Sequence, residues 1–337
     1  MDIVITFDYE LFLGPITGSV DKCLIEPTNA YLDIAEKYNI GYVFFVDVLF
    51  LLKAREYIDL YPELKRDYAK VIEQLTFASK SGHNLELHLH PQWYYSTYNV
   101  NGWSLDFSHY KLSDCPIQDI REMISKGGQL LYEITGVWPK AYRAGGYSFY
   151  NNIEVANLFK ENGIKYDSSV LMLSKSSGQF QTYDYSGIKN FNSYNFDFEN
   201  SVRTNNGLFV EYPVSCAFFP HLFYSLKSKL VTRRNKGLLK VFGDGKGVGY
   251  LKKETLKENK SFIAKLFKKT LIRASLDFYN ACFIFDMYKR VKRKNSQLLL
   301  IIGHPKNATL YSFKILEKFI LKVGKNKSNK IITFRYL

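Results

Sequence analysis

The sequence predicts an α/β fold in which parallel strands are joined by crossover helices. Two observations carry that expectation. Short apolar runs alternate with stretches of helical periodicity from one end to the other, and several of the runs stop in histidine or carboxylate residues. The 337 residues, 46% of them hydrophobic, suffice for a single α/β barrel or for one domain with a sizeable insertion. Parallel neighbours need a crossover much longer than a tight turn, and the helical stretches supply it.

In chain order, Ile3 to Phe7 reads as a strand and Thr28 to Tyr38 as a helix, with Tyr31, Leu32, Ile34 and Ala35 on its apolar side. Gly41 to Val46 is a strand, Tyr68 to Ala78 a helix and Asn84 to His90 a strand. Ile117 to Gly136 is helical, with Ser113 and Asp114 near its start, and Lys140 to Arg143 is a short strand. Asn152 to Asn162 is a helix that stops at Gly163, followed by strands at Lys165 to Ser169 and Leu208 to Tyr212. Between Ser174 and Arg203 the pattern fades into Tyr, Asn, Ser and Gly, which reads as loops with room for substrate contacts. Leu298 to Gly303 is an apolar strand, Ser312 to Val323 a helix and Lys330 to Arg335 the last strand.

The net charge of +14 is local. Leu222 to Lys294 holds 20 Lys+Arg against 5 Asp+Glu, so the rest of the chain is close to neutral. Within that segment Phe262, Ile263, Leu266, Phe267, Thr270 and Leu271 recur at helical spacing between Glu254 and Ala274. The expected form is a basic, largely helical insertion at 222–294, with 1–221 and 295–337 making the main domain. An anionic partner suits it, either a phosphate-bearing substrate or an anionic membrane surface. No helix-turn-helix, zinc-finger or RNA-platform signature accompanies the charge, which argues against nucleic acid. The stretch Gly243 to Gly249 lacks the Gly-Lys-Ser/Thr of a phosphate loop. Four scattered cysteines (Cys23, Cys115, Cys216, Cys282) read as reduced structural thiols. With no basic-then-apolar leader and no membrane-length apolar run, the expected compartment is the cytoplasm, with contact to the inner membrane face allowed for.

Four strand ends carry the chemistry. In Asn84-Leu85-Glu86-Leu87-His88-Leu89-His90-Pro91 the leucines take one face and Glu86, His88 and His90 the other. Pro91 ends the strand, so both imidazoles sit at its C-terminal end, where α/β barrels build active sites. Asp8 and Glu10 likewise share a face at the end of Ile3 to Phe7. Burying two carboxylates costs several kcal/mol each unless something compensates, and a divalent cation would. His304 follows the wholly apolar Leu298 to Ile302 run and Gly303, and Arg143 ends a short strand before Gly145 and Gly146.

These segments resemble the polysaccharide deacetylases of carbohydrate esterase family 4. Thr6-Phe7-Asp8-Tyr9-Glu10 is similar to the family's opening Thr-Phe-Asp-Asp motif, with Tyr9 where the second carboxylate stands. Gly82-His83 through His88-Leu89-His90-Pro91 is similar to its histidine motif, with the ligand pair two apart rather than four. Arg143 to Tyr147 resembles its arginine motif without the prolines, and Gly303-His304-Pro305 its last histidine motif. Glu211 and Tyr212 are the nearest candidates for its Asp/Trp motif.

The resemblance implies a distorted (β/α) barrel of about seven parallel strands. It implies a metal-dependent amide hydrolase that removes an N-acetyl group from a sugar, nucleotide- or lipid-linked, in surface-polysaccharide assembly. Glu10, His88 and His90 would hold one divalent ion, zinc first, with cobalt, nickel, manganese or iron as alternatives. Asp8 would be the general base, oriented by Arg143, and His304 the general acid. Asp8 and Glu10 can exchange roles in this reading. A backbone N–H near Tyr147 would meet the oxyanion, and Trp93, with Tyr94, Tyr95 and Trp103, would stack on the sugar. His83 reads as structural. A small non-sugar amide as substrate, or a carbohydrate-binding protein without catalysis, are the alternatives.

Overall fold

The fold is that of a computed structural model, which describes residues 1–198, 200–204, 206–248 and 268–334. β1 (Asp2–Tyr9) is buried along nearly its whole length, as expected of a central parallel strand covered on both faces. α1 (Glu26–Tyr38) has Pro27 in its first turn and ends at Asn39, whose φ of 50° lies in the left-handed region. β2 (Val43–Asp47) runs straight into α2 (Val48–Arg55), and α3 (Pro62–Lys80) leads to β3 (Asn84–Leu89). α4 (Ile117–Thr135) stops at Gly136, which takes φ 73° and accepts no side-chain cost for it. β4 (Ala141–Ala144), α5 (Ile153–Glu161) and β5 (Tyr166–Asp167) follow; the Asn152 side chain caps α5 by accepting from Glu154 N–H and Val155 N–H.

Next come β6 (Tyr194–Asp197), β7 (Asn200–Arg203), β8 (Phe209–Glu211), β9 (Cys216–Pro220), α6 (His221–Arg234) and β10 (Lys269–Arg273). α7 (Ile284–Arg293), β11 (Leu298–Gly303), α8 (Leu310–Gly324) and β12 (Lys330–Ile331) complete the order. The sheet runs β7-β6-β8-β5-β4-β3-β2-β1-β11, with β12 also on β1. From β8 to β11 the seven strands are parallel, while β6 and β7 add an antiparallel edge.

Irregular backbone spans the gap between β5 and β11, and this makes the barrel a distorted one. Val214 N–H donates to Val170 O, Ser215 N–H to Leu300 O, Ala274 N–H to Ser215 O, and Ile302 N–H to Ala274 O. Ser215 Oγ also accepts from Leu300 N–H. Residues 274–276 of the basic segment therefore complete the barrel wall, and Ala274, Leu276, Phe283, Ile284 and Met287 are wholly buried.

The structure departs from the sequence reading in three places. Ser174 to Arg203 is not loop alone: it forms the hairpins Lys175–Gly178/Gln181–Asp184 and β6/β7. Of the helical pattern at 254–274, residues 254–267 lie outside the described residues, and Lys269–Arg273 is a strand paired antiparallel with β9. Pairing partners decide short apolar runs whose period is ambiguous. α2 was not anticipated, because Val43 to Leu52 is apolar but for Asp47, with no Gly or Pro between strand and helix.

Candidate active site

Parallel register brings the reactive side chains to one end of the sheet. His88 stands opposite Asp47 on β2 and Arg143 on β4, and Phe7 opposite Gly303 on β11. The residues that follow, Asp8, Glu10, His90 and His304, are thereby gathered at the C-terminal mouth. Alternation holds as expected: Tyr9 points away from the mouth and donates to Gln74 Oε1 at 2.8 Å. A cavity of about 300 Å³ opens over this mouth, walled by Asp8, Glu10, His88, His90, Tyr147 and His304 among others.

Glu10, His88 and His90 form a buried three-atom cluster. Glu10 Oε2 lies 2.5 Å from His90 Nε2 and 3.3 Å from His88 Nε2, and the two Nε2 atoms are 3.0 Å apart. His88 Nδ1 is 2.7 Å from the Arg143 carbonyl, which can only accept, so Nδ1 carries a proton and Nε2 turns toward Glu10 and His90. Burial of its ring pushes His90 down to about 4, leaving that imidazole neutral. His88 is equally buried, yet its bond to Glu10 and the charges of Asp8 and Glu10 raise it. Glu10 Oε2 makes no hydrogen bond of good geometry despite its burial. Three electron-pair donors facing one another fit a single cation, and two imidazoles with one carboxylate are a set that suits zinc. Gly145 is required beside them: a Cβ there would meet His90 Nδ1 at 2.7 Å and Leu89 O at 2.6 Å.

Two ion pairs flank the cluster. Arg143 is fully buried and donates through Nη1 to Asp8 Oδ1 at 2.5 Å and to Thr6 Oγ1 at 3.1 Å. Its Nε and Nη2 are tied to Ser168 O and Ser168 Oγ, and its guanidinium lies 4.0 Å over the Phe45 ring. The second Asp8 oxygen is left facing His304 Nε2 at 3.4 Å. On the other side, His304 Nδ1 donates to Asp277 Oδ2 at 2.9 Å, and His304 N–H donates to Asp277 Oδ1 at 2.8 Å. Burial alone would lower His304, but Asp277, Asp8 and Glu10 together raise it. Lys306 Nζ donates to Glu10 Oε1 at 2.9 Å and to Leu11 O at 2.7 Å. Burial would raise Glu10, and Lys306 with the two histidines holds it well below the usual carboxylate range instead.

Asp8, Glu10, His88, His90, Arg143, Tyr147 and His304 thus converge as their spacing suggested. Gly146 and Tyr147 both line the cavity, with backbone in the left-handed region at φ 59° and 61°. Trp93 does not join them. The short turn Pro91–Trp93 after β3 swings it into the core, where it is wholly buried against Phe50 and Trp103. Tyr94 and Tyr95 are spent on Glu122 and Asp119, so the expected sugar-stacking platform is a packing cluster. Glu211, the candidate for the Asp/Trp motif, is not among the residues that wall the cavity. It is hydrogen-bonded to Asp167, and the carboxylate at His304 is Asp277. His83 accepts from Tyr42 N–H at 2.9 Å, and Glu86, at the far end of β3, accepts from Lys140 and Ala141 N–H.

Sequence reasoning missed Asp277, Lys306, Arg273 and Asp47. Arg273 reaches the cavity from β10 and donates to Tyr147 Oη at 3.2 Å. Asp47, buried beside His88, is pushed up to about 8 by desolvation. For Asp47 a signal existed, since it ends an apolar strand as Asp8 and His88 do.

No protein-family model matches the sequence, and no curated protein matches it. Solved structures do match by shape. One from Mycobacterium smegmatis, assigned as a polysaccharide deacetylase, aligns over 99% of this chain and 87% of its own with a TM-score of 0.51 at 13% identity. A peptidoglycan N-acetylglucosamine deacetylase aligns over 50% of this chain and 56% of its own, with TM-score 0.32 and 16% identity. A family 4 acetyl xylan esterase from Clostridium thermocellum, solved with a cobalt ion, aligns over 52% and 60%, with TM-score 0.27 and 16% identity. The full-length alignment is the informative one: in fold, this chain is similar to a polysaccharide deacetylase from end to end.

Proposed function

We propose that this chain is a metal-dependent deacetylase that hydrolyses the N-acetyl group of a sugar. The observation that carries the reading is the cluster of Glu10 Oε2, His88 Nε2 and His90 Nε2, set between an Arg143–Asp8 pair and an Asp277–His304 pair. Glu10, His88 and His90 would hold the divalent ion, with zinc the best match to the donors. Such an ion supplies Lewis acidity, lowering the pKa of water and polarising a carbonyl.

The chain's own groups supply the proton traffic. Arg143 pins Asp8 through Oδ1, which leaves Oδ2 turned toward His304 and available to take a proton from the attacking water. Asp277 fixes the His304 ring through Nδ1, so Nε2 is the atom that delivers a proton to the leaving nitrogen. The turn at Gly146 and Tyr147 brings backbone over the cavity, where an N–H would face the developing oxyanion. A water adds to the acetyl carbon, the C–N bond breaks, and acetate and a free amine leave. Glu10 rather than Asp8 is the ligand on this reading, because only Glu10 lies against both histidines.

The substrate proposed is an N-acetylated sugar on a nucleotide or lipid carrier, used in surface-polysaccharide assembly on the cytoplasmic side. Arg273 at the cavity wall supports an anionic carrier. Loss of the Trp93 platform from the site favours a second reading, a small non-sugar amide. Acetate release separates them. The zinc-loaded protein is assayed on nucleotide-linked and polyprenyl-linked N-acetylhexosamines beside simple acetanilides. Turnover confined to the sugars supports the proposal; turnover confined to the anilides supports the second reading, and none on either class refutes both.

A further inference from the structure

α6 wears its apolar side outward. Leu222, Leu226 and Leu230, four residues apart, form one ridge and are 48%, 60% and 47% exposed, and Phe218, midway along the adjoining β9, is 41% exposed. The face turned to the protein is held by other means. Tyr224 Oη bonds Tyr279 Oη at 2.9 Å, Lys227 pairs with Asp286, and the Tyr224 ring stacks on Phe283. No helical need puts leucines on the water side, since an amphipathic helix packed on a domain presents polar residues there.

Charge decides what covers the ridge. His221–Arg234 contains no acidic residue. Lys229 and Arg233 lie one turn along from Leu226 and Leu230 on the same side, with Arg234, Lys236 and Lys240 just beyond. Leucines flanked by cations are the pattern of a helix lying flat in the headgroup layer of an anionic bilayer. A second copy is a poorer match, because a twofold contact on this ridge would set Lys229 and Arg233 against themselves in a chain of net charge +14. A nucleic acid would use the cations and leave the leucines in water.

We propose that α6, with Phe218, is a docking surface for an anionic lipid bilayer. β9 and β10 connect it to the chemistry: Pro220, where α6 begins, pairs with Lys269, and at the other end of this antiparallel pair Cys216 pairs with Arg273, which lines the cavity. A bilayer on α6 would thus lie the length of one five-residue strand pair from Arg273 at the site. The inference deepens the reading above, on which a lipid-linked sugar is one of the carriers, but its binding test does not depend on turnover.

The test is flotation of the full chain with vesicles of phosphatidylcholine mixed with phosphatidylglycerol, beside phosphatidylcholine alone. Binding is expected to the mixed vesicles and not to the neutral ones, and to weaken severalfold between about 0.1 and about 0.5 M salt. Leu222→Ser/Leu226→Ser/Leu230→Ser should reduce it by roughly tenfold or more, and Arg233→Glu/Arg234→Glu by a similar factor of about ten. Melting temperature and acetate release from a water-soluble substrate are measured on the same samples and should not change, which separates loss of docking from loss of fold or of catalysis. Absence of binding to mixed vesicles, equal binding to neutral vesicles, or binding that survives both variants overturns the proposal. A leucine-dependent dimer without vesicle binding overturns it in favour of a second copy.

Discussion

Asp8 and Glu10 at the end of β1, and Asp167 and Glu211 on β5 and β8, are both pairs of acids buried in the same sheet. Their surroundings differ in what offsets the desolvation. Around Asp8 and Glu10 stand Arg143, Lys306 and three histidines. Asp167 accepts from Ser169 Oγ and Ser169 N–H, Glu211 accepts from Val170 N–H, and the two share a hydrogen bond. Burial, and then the charge of Asp167, raises Glu211 well above the carboxylate range, so that pair keeps a proton. A buried carboxylate is held charged by fixed cations or made neutral by a proton. Only the first kind can bind a metal ion or take a proton from water, and the difference separates an active site from a structural contact of similar composition.

Variants can break that comparison. Asp8→Asn or His304→Ala should lower turnover by roughly 10²–10⁴-fold with the fold intact, measured as acetate release beside a melting curve. If Asp8→Asn retains full activity, the cation-held pair is no more catalytic than the other. Trp93→Ala should cost about 3–5 kcal/mol of stability, whereas Trp93→Phe should leave KM unchanged, since Trp93 is core rather than binding surface. Asp277→Asn removes the charge that raises His304. The general acid works while protonated, so rate falls as pH rises through its pKa, and the alkaline limb of the pH profile should move to lower pH. An unmoved limb would remove Asp277 from the role of positioning residue. Glu211→Gln is expected to be the mildest, within about 1.5 kcal/mol at acidic pH. A raised carboxyl contributes stability that is full below its unfolded pKa and lost as pH climbs through the folded one. The wild type should therefore lose melting temperature toward alkaline pH, and the glutamine variant should lose less of it.

What was legible in the sequence follows the same physics. β11 and β1 could be read because parallel strands buried on both faces are continuous apolar runs. Asp8, Glu10, His88, His90, Arg143 and His304 could be read because a polar residue that ends such a run has to sit at a strand mouth. Asp277 could not, as it reaches His304 from an irregular run that lies beside β11 only through the bridge of Ser275 to Ile302. Lys306 lies in a short turn after β11, and nothing local distinguishes it from the many other lysines. Trp93 was misread because a side chain three residues past a strand end can turn to the cavity or to the core, and only the packing with Phe50 decides. The hairpin Lys175–Gly178/Gln181–Asp184 is mostly polar and buries none of its residues, so it does not stand out from loop.

The central claim is that Glu10, His88 and His90 hold one catalytic cation. Elemental analysis of the purified chain beside His88→Ala/His90→Ala tests it most directly. The account predicts about one divalent ion per chain in the wild type and none in the variant. A wild type that takes up no metal after reconstitution with zinc, cobalt or nickel would contradict it.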